Sequence, residues 1–229
     1  MPSAAKGPVM MLEVVDEERS DESWDAEHGD GPDTGPVKVD GRIARSKRTF
    51  AAVVDAFLEL LEEGELRPTA AMVADRAGVS RRSVYVHFRD LDTLFAAAAE
   101  RHYELRLLPL LMYGPLPDTL RERIAAFVDV KALRMEKITP IRRAAGLQAP
   151  FSREVATQIQ AARDRAWLEV ERVFEPELKA YDCEQREVVA SALLVATTWP
   201  TWETLRETRG LTVAQAKAVL AHMLTKILS

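Results

Sequence analysis

Cysteine is nearly absent. Cys183 stands alone among 229 residues, which excludes an internal disulfide and fits a reducing compartment. Four scattered histidines leave no plausible all-protein zinc site, so neither metal nor cofactor is expected. The longest unbroken apolar run, Leu94 to Ala99, is about a third of what a bilayer span needs. The early apolar stretch is cut by Glu13 and has no basic head or small-residue cleavage site, against a signal peptide. A phosphate loop, a Gly-x-Ser-x-Gly motif and a dinucleotide fingerprint are all missing. Cys183, flanked by Asp182 and Glu184, is a poor nucleophile. The expectation is a cytoplasmic protein without membrane attachment and not an enzyme.

A surplus of positive charge is missing too. The net charge of −5 argues against a nucleic-acid partner only if it is evenly spread, and it is not. Residues 1–40 hold 11 acidic and 3 basic side chains, leaving 25 acidic and 28 basic for the rest. The acidic excess therefore belongs to the start of the chain, and the body is mildly basic. Residues 1–41 also carry Gly7-Pro8, Gly31-Pro32 and Gly35-Pro36 with little apolar periodicity. Such a segment cannot bury enough surface to offset its ordering entropy, and a disordered acidic tail is expected. Arg42, Arg45, Lys47 and Arg48 then reverse the sign abruptly.

What is present is helical periodicity. From Ser46, Phe50, Val53, Val54, Phe57, Leu58 and Leu61 recur at spacings of three and four up to Gly64. Short helices follow from Pro68-Thr69 to Ala77 and from Ser80 to about Phe88, then a longer one from Asp90 to roughly Leu111. Asp118 is expected to cap the next. Thr139-Pro140 reads as a fresh cap followed by a first-turn proline, with Gly146 as the stop. Ser152, Asp182 and Thr212 are the remaining cap candidates, and Trp199-Pro200 is expected to break or restart its helix. No segment reads as a strand. The fold class is all-α with about nine helices.

The passage Thr69 to Phe88, TAAMVADRAGVSRRSVYVHF, carries the chemistry. Two short helices joined by Ala77-Gly78-Val79-Ser80 have the length and turn residues of a helix-turn-helix. Val79, Val84 and Phe88 are expected to face inward. Arg81, Arg82 and Ser83 then project from the first turn of the second helix, where guanidinium groups can pair with guanine in a major groove.

This segment resembles the DNA-binding domain of TetR-family transcriptional regulators. The Ala-Gly-Val-Ser turn matches the family pattern, and so does the Tyr85-x-His87-Phe88 ending of the recognition helix. The specific likeness runs from Ser46 to Phe95. It implies base contacts from Arg81, Arg82 and Ser83 and phosphate contacts from Thr69, Tyr85 and His87. Arg45, Lys47 and Arg48 are read as further phosphate contacts on an arm reaching a minor groove, or else as a solvated linker. Two positions depart from the usual pattern: Leu91 replaces a phosphate-contacting lysine, and Arg82 replaces a small residue.

The resemblance further implies three regions. These are the acidic tail 1–41, a three-helix DNA-binding domain over 42–92, and an effector-binding and dimerisation domain over 93–229. His102, Tyr103, Phe127, Met135 and Trp167 are the candidate lining of a pocket for a small, apolar or aromatic effector. Val189, Leu193, Trp202, Leu220, Met223, Leu224 and Ile227 are the candidate interface of a homodimer. The function implied is a repressor on a palindromic double-stranded operator, released by its effector. A helical interaction module without operator binding is the alternative reading, with an α-helical enzyme a distant third.

Overall fold

The computed structural model describes residues 37–110 and 114–229, and within them ten α-helices and no strand. The expected disordered tail lies outside the described residues as far as residue 36. Its last part does not. Helix α1 spans Val37–Glu62, nine residues longer at its start than the periodicity from Ser46 predicts. Pro36 is the last breaker in the sequence, and the Arg- and Lys-rich stretch beyond it has good helix formers that outweigh the cost of Gly41. No apolar stripe marks this part, because side chains 41–48 are all exposed.

Three short helices complete the N-terminal unit. Helix α2 (Ala70–Ala77) begins at Thr69, whose hydroxyl accepts the Met72 N–H. Gly78 ends it in the left-handed region at φ 65°, a conformation that costs a side-chain-bearing residue roughly 1–2 kcal/mol. Helix α3 (Arg81–His87) starts at Ser80 and α4 (Leu91–His102) at Asp90, each cap accepting the N–H three residues on. Hydrogen bonds from the Thr93 hydroxyl and N–H, with Arg89 alongside, hold the Asp90 carboxyl down at about 2. A π-helical turn over Tyr103–Leu107 and a short 3-10 turn continue α4.

Helix α5 runs unbroken over Leu120–Gln148, starting from Thr119 rather than Asp118. The expected break at Thr139-Pro140 does not occur, and Gly146 does not stop the helix. Proline inside a helix removes one backbone bond, at about 3 kcal/mol. Here the Thr139 hydroxyl donates to the Met135 carbonyl at 2.7 Å and accepts from Trp199 Nε1 at 3.0 Å. Burial of Ile141, Ala144 and Ala145 beyond the proline keeps the last turns helical. Tertiary packing overrides the local stop.

The remaining helices are α6 (Arg153–Val173), α7 (Glu175–Leu178), α8 (Cys183–Ala196), α9 (Trp199–Glu203) and α10 (Val213–Ile227). Two apolar clusters organise all ten. The first joins α1–α4 to the second half of α5 and to Val155 of α6. The second joins the first half of α5 to the end of α6 and to α7–α10. Helix α5 therefore belongs to both. No helix among the described residues is long and apolar enough to cross a membrane.

Candidate nucleic-acid interface and internal cavity

Helix α3 has a buried side and an exposed side. Val84 and Phe88 are buried at the four-residue spacing that keeps two side chains on one helix face. Phe88 stacks on Phe50 of α1 with centroids 4.8 Å apart, and His87 meets the same ring edge-on at 6.2 Å. Arg81, in the first turn, Arg82 and Tyr85 are exposed, and the 55 % exposure of Tyr85 excludes a core role. Ser83 is half-buried. Its hydroxyl lies 2.9 Å from that of Ser80, and its N–H donates to the same oxygen.

Neighbouring arginines show why Arg81 and Arg82 stand apart. Arg76 donates to Glu63 at 2.9 and 2.7 Å and reaches Glu59 at 3.4 Å, bracing α2 against α1. Arg89 holds Asp90 and Glu154. Among the described residues no carboxylate pairs with Arg81 or Arg82, so both guanidinium forks are available for a phosphate or a guanine edge. Val86, 72 % exposed, stands between these groups. Sequence reasoning missed it, although only one of Val84 and Val86 can share the helix face of Phe88. An apolar side chain there suits a thymine methyl.

Arg45, Lys47 and Arg48 are exposed on the first turns of α1, which corrects both readings of this cluster. They are on a helix, not a linker. A helix about 10–12 Å across is wider than a minor groove of about 6 Å, so an extended arm lying in the groove is not what this element offers. Thr69, at the other end of the unit, is exposed with its hydroxyl engaged in capping α2.

A cavity of about 930 Å³ opens between α4, α5, α6 and the α8–α9 junction. His102, Tyr103, Met135 and Trp167 line it, four positions spread over three helices and brought together by the packing. Phe127 does not. It is wholly buried in the second apolar cluster, edge-on to Phe174 at 5.3 Å, because its position on α5 turns toward α6–α7. Burial, with the charge of Arg106 added, pushes the His102 imidazole down to about 4, so it faces the cavity neutral. Lys131 and Arg134 share the Glu169 carboxylate in the wall.

The interface candidates divide in the same way. Leu193, Trp202, Leu220 and Leu224 are buried within the single chain, which removes them from any face offered to a second copy. Their stripes on α8 and α10 are consumed by the second cluster. Val189, Met223 and Ile227 remain half-buried at its edge. On α8 the exposed large apolar side chains are Val188 and Val195, at 65 % and 64 %. They are seven residues apart and so on one face.

Residues 53–98 match the family model for bacterial regulatory proteins of the tetR family. A transcriptional regulator from Rhodococcus sp. Rha1 shares the fold with a TM-score of 0.58 at 19 % identity, over 80 % of this chain and 95 % of that one. A protein from Pseudomonas aeruginosa PAO1, described as a candidate transcriptional regulator, does so with 0.59 at 16 % identity, over 82 % and 91 %. No curated protein matches the sequence. Residues 53–98 are thus similar to bacterial regulatory proteins of the tetR family, and the chain as a whole shares the helical fold of these two solved structures.

Proposed function

We propose that the chain is a homodimeric repressor that leaves its operator when a small molecule fills the cavity. The observation that carries this reading is the double role of α4. Phe95, Ala99 and His102 of α4 line the cavity, while Leu94, Phe95 and Ala98 lie in the cluster that holds α1 and α3. Arg101 also grips Asp55 of α1 through two bonds of 2.5 and 2.9 Å. A molecule that needs a wider cavity must move α4, and α4 cannot move without displacing the recognition helix. The ligand then binds better to the displaced form and shifts the population toward it. A coupling of about 1–3 kcal/mol is the usual size for such linkage.

Two copies are required because one seven-residue recognition helix reads too few base pairs for operator-level specificity. A two-fold dimer places two such helices on the half-sites of a palindrome. Val188 and Val195 support α8 as part of the contact, with Val189, Met223 and Ile227 at its margin.

The test is DNA binding by the purified full-length protein to the region upstream of its own gene. Retardation and a footprint with two-fold symmetry are expected, with both lost when Arg81→Ala and Arg82→Ala are combined. A footprint that survives the double change overturns α3 as the reading element.

A further inference from the structure

The cavity wall is apolar along its length and cationic at one end. Ile138, Ile141, Ile159 and Trp167 supply apolar surface. Arg142 of α5 meets Arg163 and Arg165 of α6 at one end. Burial comes first, and repulsion by Arg163 and Arg165 adds to it, in holding the Arg142 guanidinium below the usual arginine value. Among the described residues no carboxylate forms an ion pair with any of the three. Arg165 lies over the Tyr103 ring at 3.9 Å from its centroid, and its Nε is buried with no hydrogen-bond partner. Asp164 also borders the cavity, but it is exposed and accepts from Gln160 at 2.8 Å.

The other cationic station is different. Lys131 and Arg134, two to three turns earlier on α5, have a shared carboxylate of their own in Glu169. That end brings its own anion and the Arg142 end does not. Arg142 and Arg165 are half-buried and Arg163 is exposed beside them, so the two partly desolvated charges oppose folding unless something compensates them. Planar guanidinium groups match a carboxylate two bonds at a time. The cavity volume of about 930 Å³ is at the upper end of the range of roughly 300–1,000 Å³ for small-molecule sites, so an apolar body of some length fits beside the charged end.

We infer that the cavity takes an amphiphilic organic acid, its carboxylate among Arg142, Arg163 and Arg165 and its apolar body against Ile138, Ile141, Ile159 and Trp167. This rests on the cavity being the effector site, and it narrows an apolar effector to an anionic one. A neutral molecule of the same shape would leave the three arginines uncompensated. A cationic one would add a fourth like charge.

The experiment titrates full-length protein with decanoate, 1-decanol and decylamine, which share a chain and differ in head charge. Tryptophan fluorescence reports binding, since Trp167 and Trp199 both line the cavity, and calorimetry gives the affinity. Decanoate is expected to bind at least about tenfold more tightly than 1-decanol, and decylamine least of all. Arg163→Gln, at an exposed position that leaves the fold intact, and Arg142→Gln should each weaken decanoate about tenfold while leaving 1-decanol within about threefold. No decanoate binding, equal affinity for acid and alcohol, or decanoate affinity unchanged in both variants overturns the inference. Repeating the titration with the upstream DNA separates the two levels. Decanoate that binds without weakening DNA binding defeats the effector reading and leaves the ligand class standing. DNA release by 1-decanol as readily as by decanoate defeats the ligand class alone.

Discussion

At the residue scale, the proposed base reading and phosphate gripping divide between exposed side chains of one seven-residue helix. Arg82 is exposed and, among the described residues, without a carboxylate partner, so under the proposed reading Arg82→Ala removes a base contact and breaks no ion pair. A loss of about 1–3 kcal/mol on the operator is expected, with relaxed preference at particular base pairs. Tyr85→Phe removes a hydroxyl suited to phosphate and should weaken operator and random DNA alike. Competition binding on both DNAs checks the pair, and equal losses for Arg82→Ala on the two would make it a phosphate contact. His102 makes a different kind of prediction. Its imidazole is held at about 4 in the folded chain against an ordinary value of 6.5. Above about pH 6.5 both folded and unfolded forms are neutral and the contribution to stability is complete. Between 6.5 and 4 the unfolded chain takes up a proton that the folded chain refuses, so stability falls as pH falls. Denaturant melts across that window should show the acid-side loss, and His102→Gln should flatten it. Arg81, Arg82 and Tyr85 were legible from sequence because a capped turn fixes where each points. The Arg142–Arg163–Arg165 cluster was not. Arg142 is more than twenty residues from Arg163 and Arg165 and meets them only through the packing of α5 on α6.

At the element scale, most of the predicted helix caps hold. Ser80, Asp90, Ser152, Asp182 and Thr212 all cap as their side-chain chemistry demands, each accepting the N–H three residues on. Thr212 does so within a full capping box, with Gln215 returning a bond to the Thr212 N–H at 2.9 Å. Thr212→Ala should lower stability by about 1 kcal/mol, read as a shift of the denaturation midpoint with DNA affinity per folded molecule unchanged. Stops failed where tertiary burial outweighed local preference. Pro140 and Gly146 both argue for ending α5, yet Ile141, Ala144 and Ala145 are buried around them. The start of α1 failed for the opposite reason. With no apolar stripe over residues 41–48, periodicity had nothing to register, although helix-forming arginines and lysines were present. These two misses matter for function. A continuous α5 carries the cavity wall through both clusters, and a helical α1 puts Arg45 and Arg48 on one side, with Lys47 turned away from Arg45.

At the scale of the whole molecule, the question is which apolar surface the single chain leaves unspent. The resemblance made the apolar stripes on α8 and α10 the candidate interface. Leu193, Leu220, Leu224 and Trp202 instead close the second cluster within one chain. A charge at Leu220 would therefore unfold the body rather than split a dimer, and would say nothing about assembly. Val188 and Val195 are the informative positions. Both are largely exposed on one face of α8, so a charge at either is solvated in the monomer and costs the fold little. In a two-fold dimer the same charge would face its own copy across the axis, unpaired and out of water, a situation worth several kcal/mol. Val188→Asp and Val195→Asp should thus keep wild-type thermal stability of the monomeric fold while sedimenting as monomers. Their operator binding should lose its steepness with concentration and fall toward the affinity of a single recognition helix. Random-sequence binding should fall much less, because it depends on phosphate neutralisation more than on paired half-sites. Dimers that persist in both variants at wild-type concentration dependence would exclude this face of α8. Unfolded variants would mean that the valines are buried in the free chain after all.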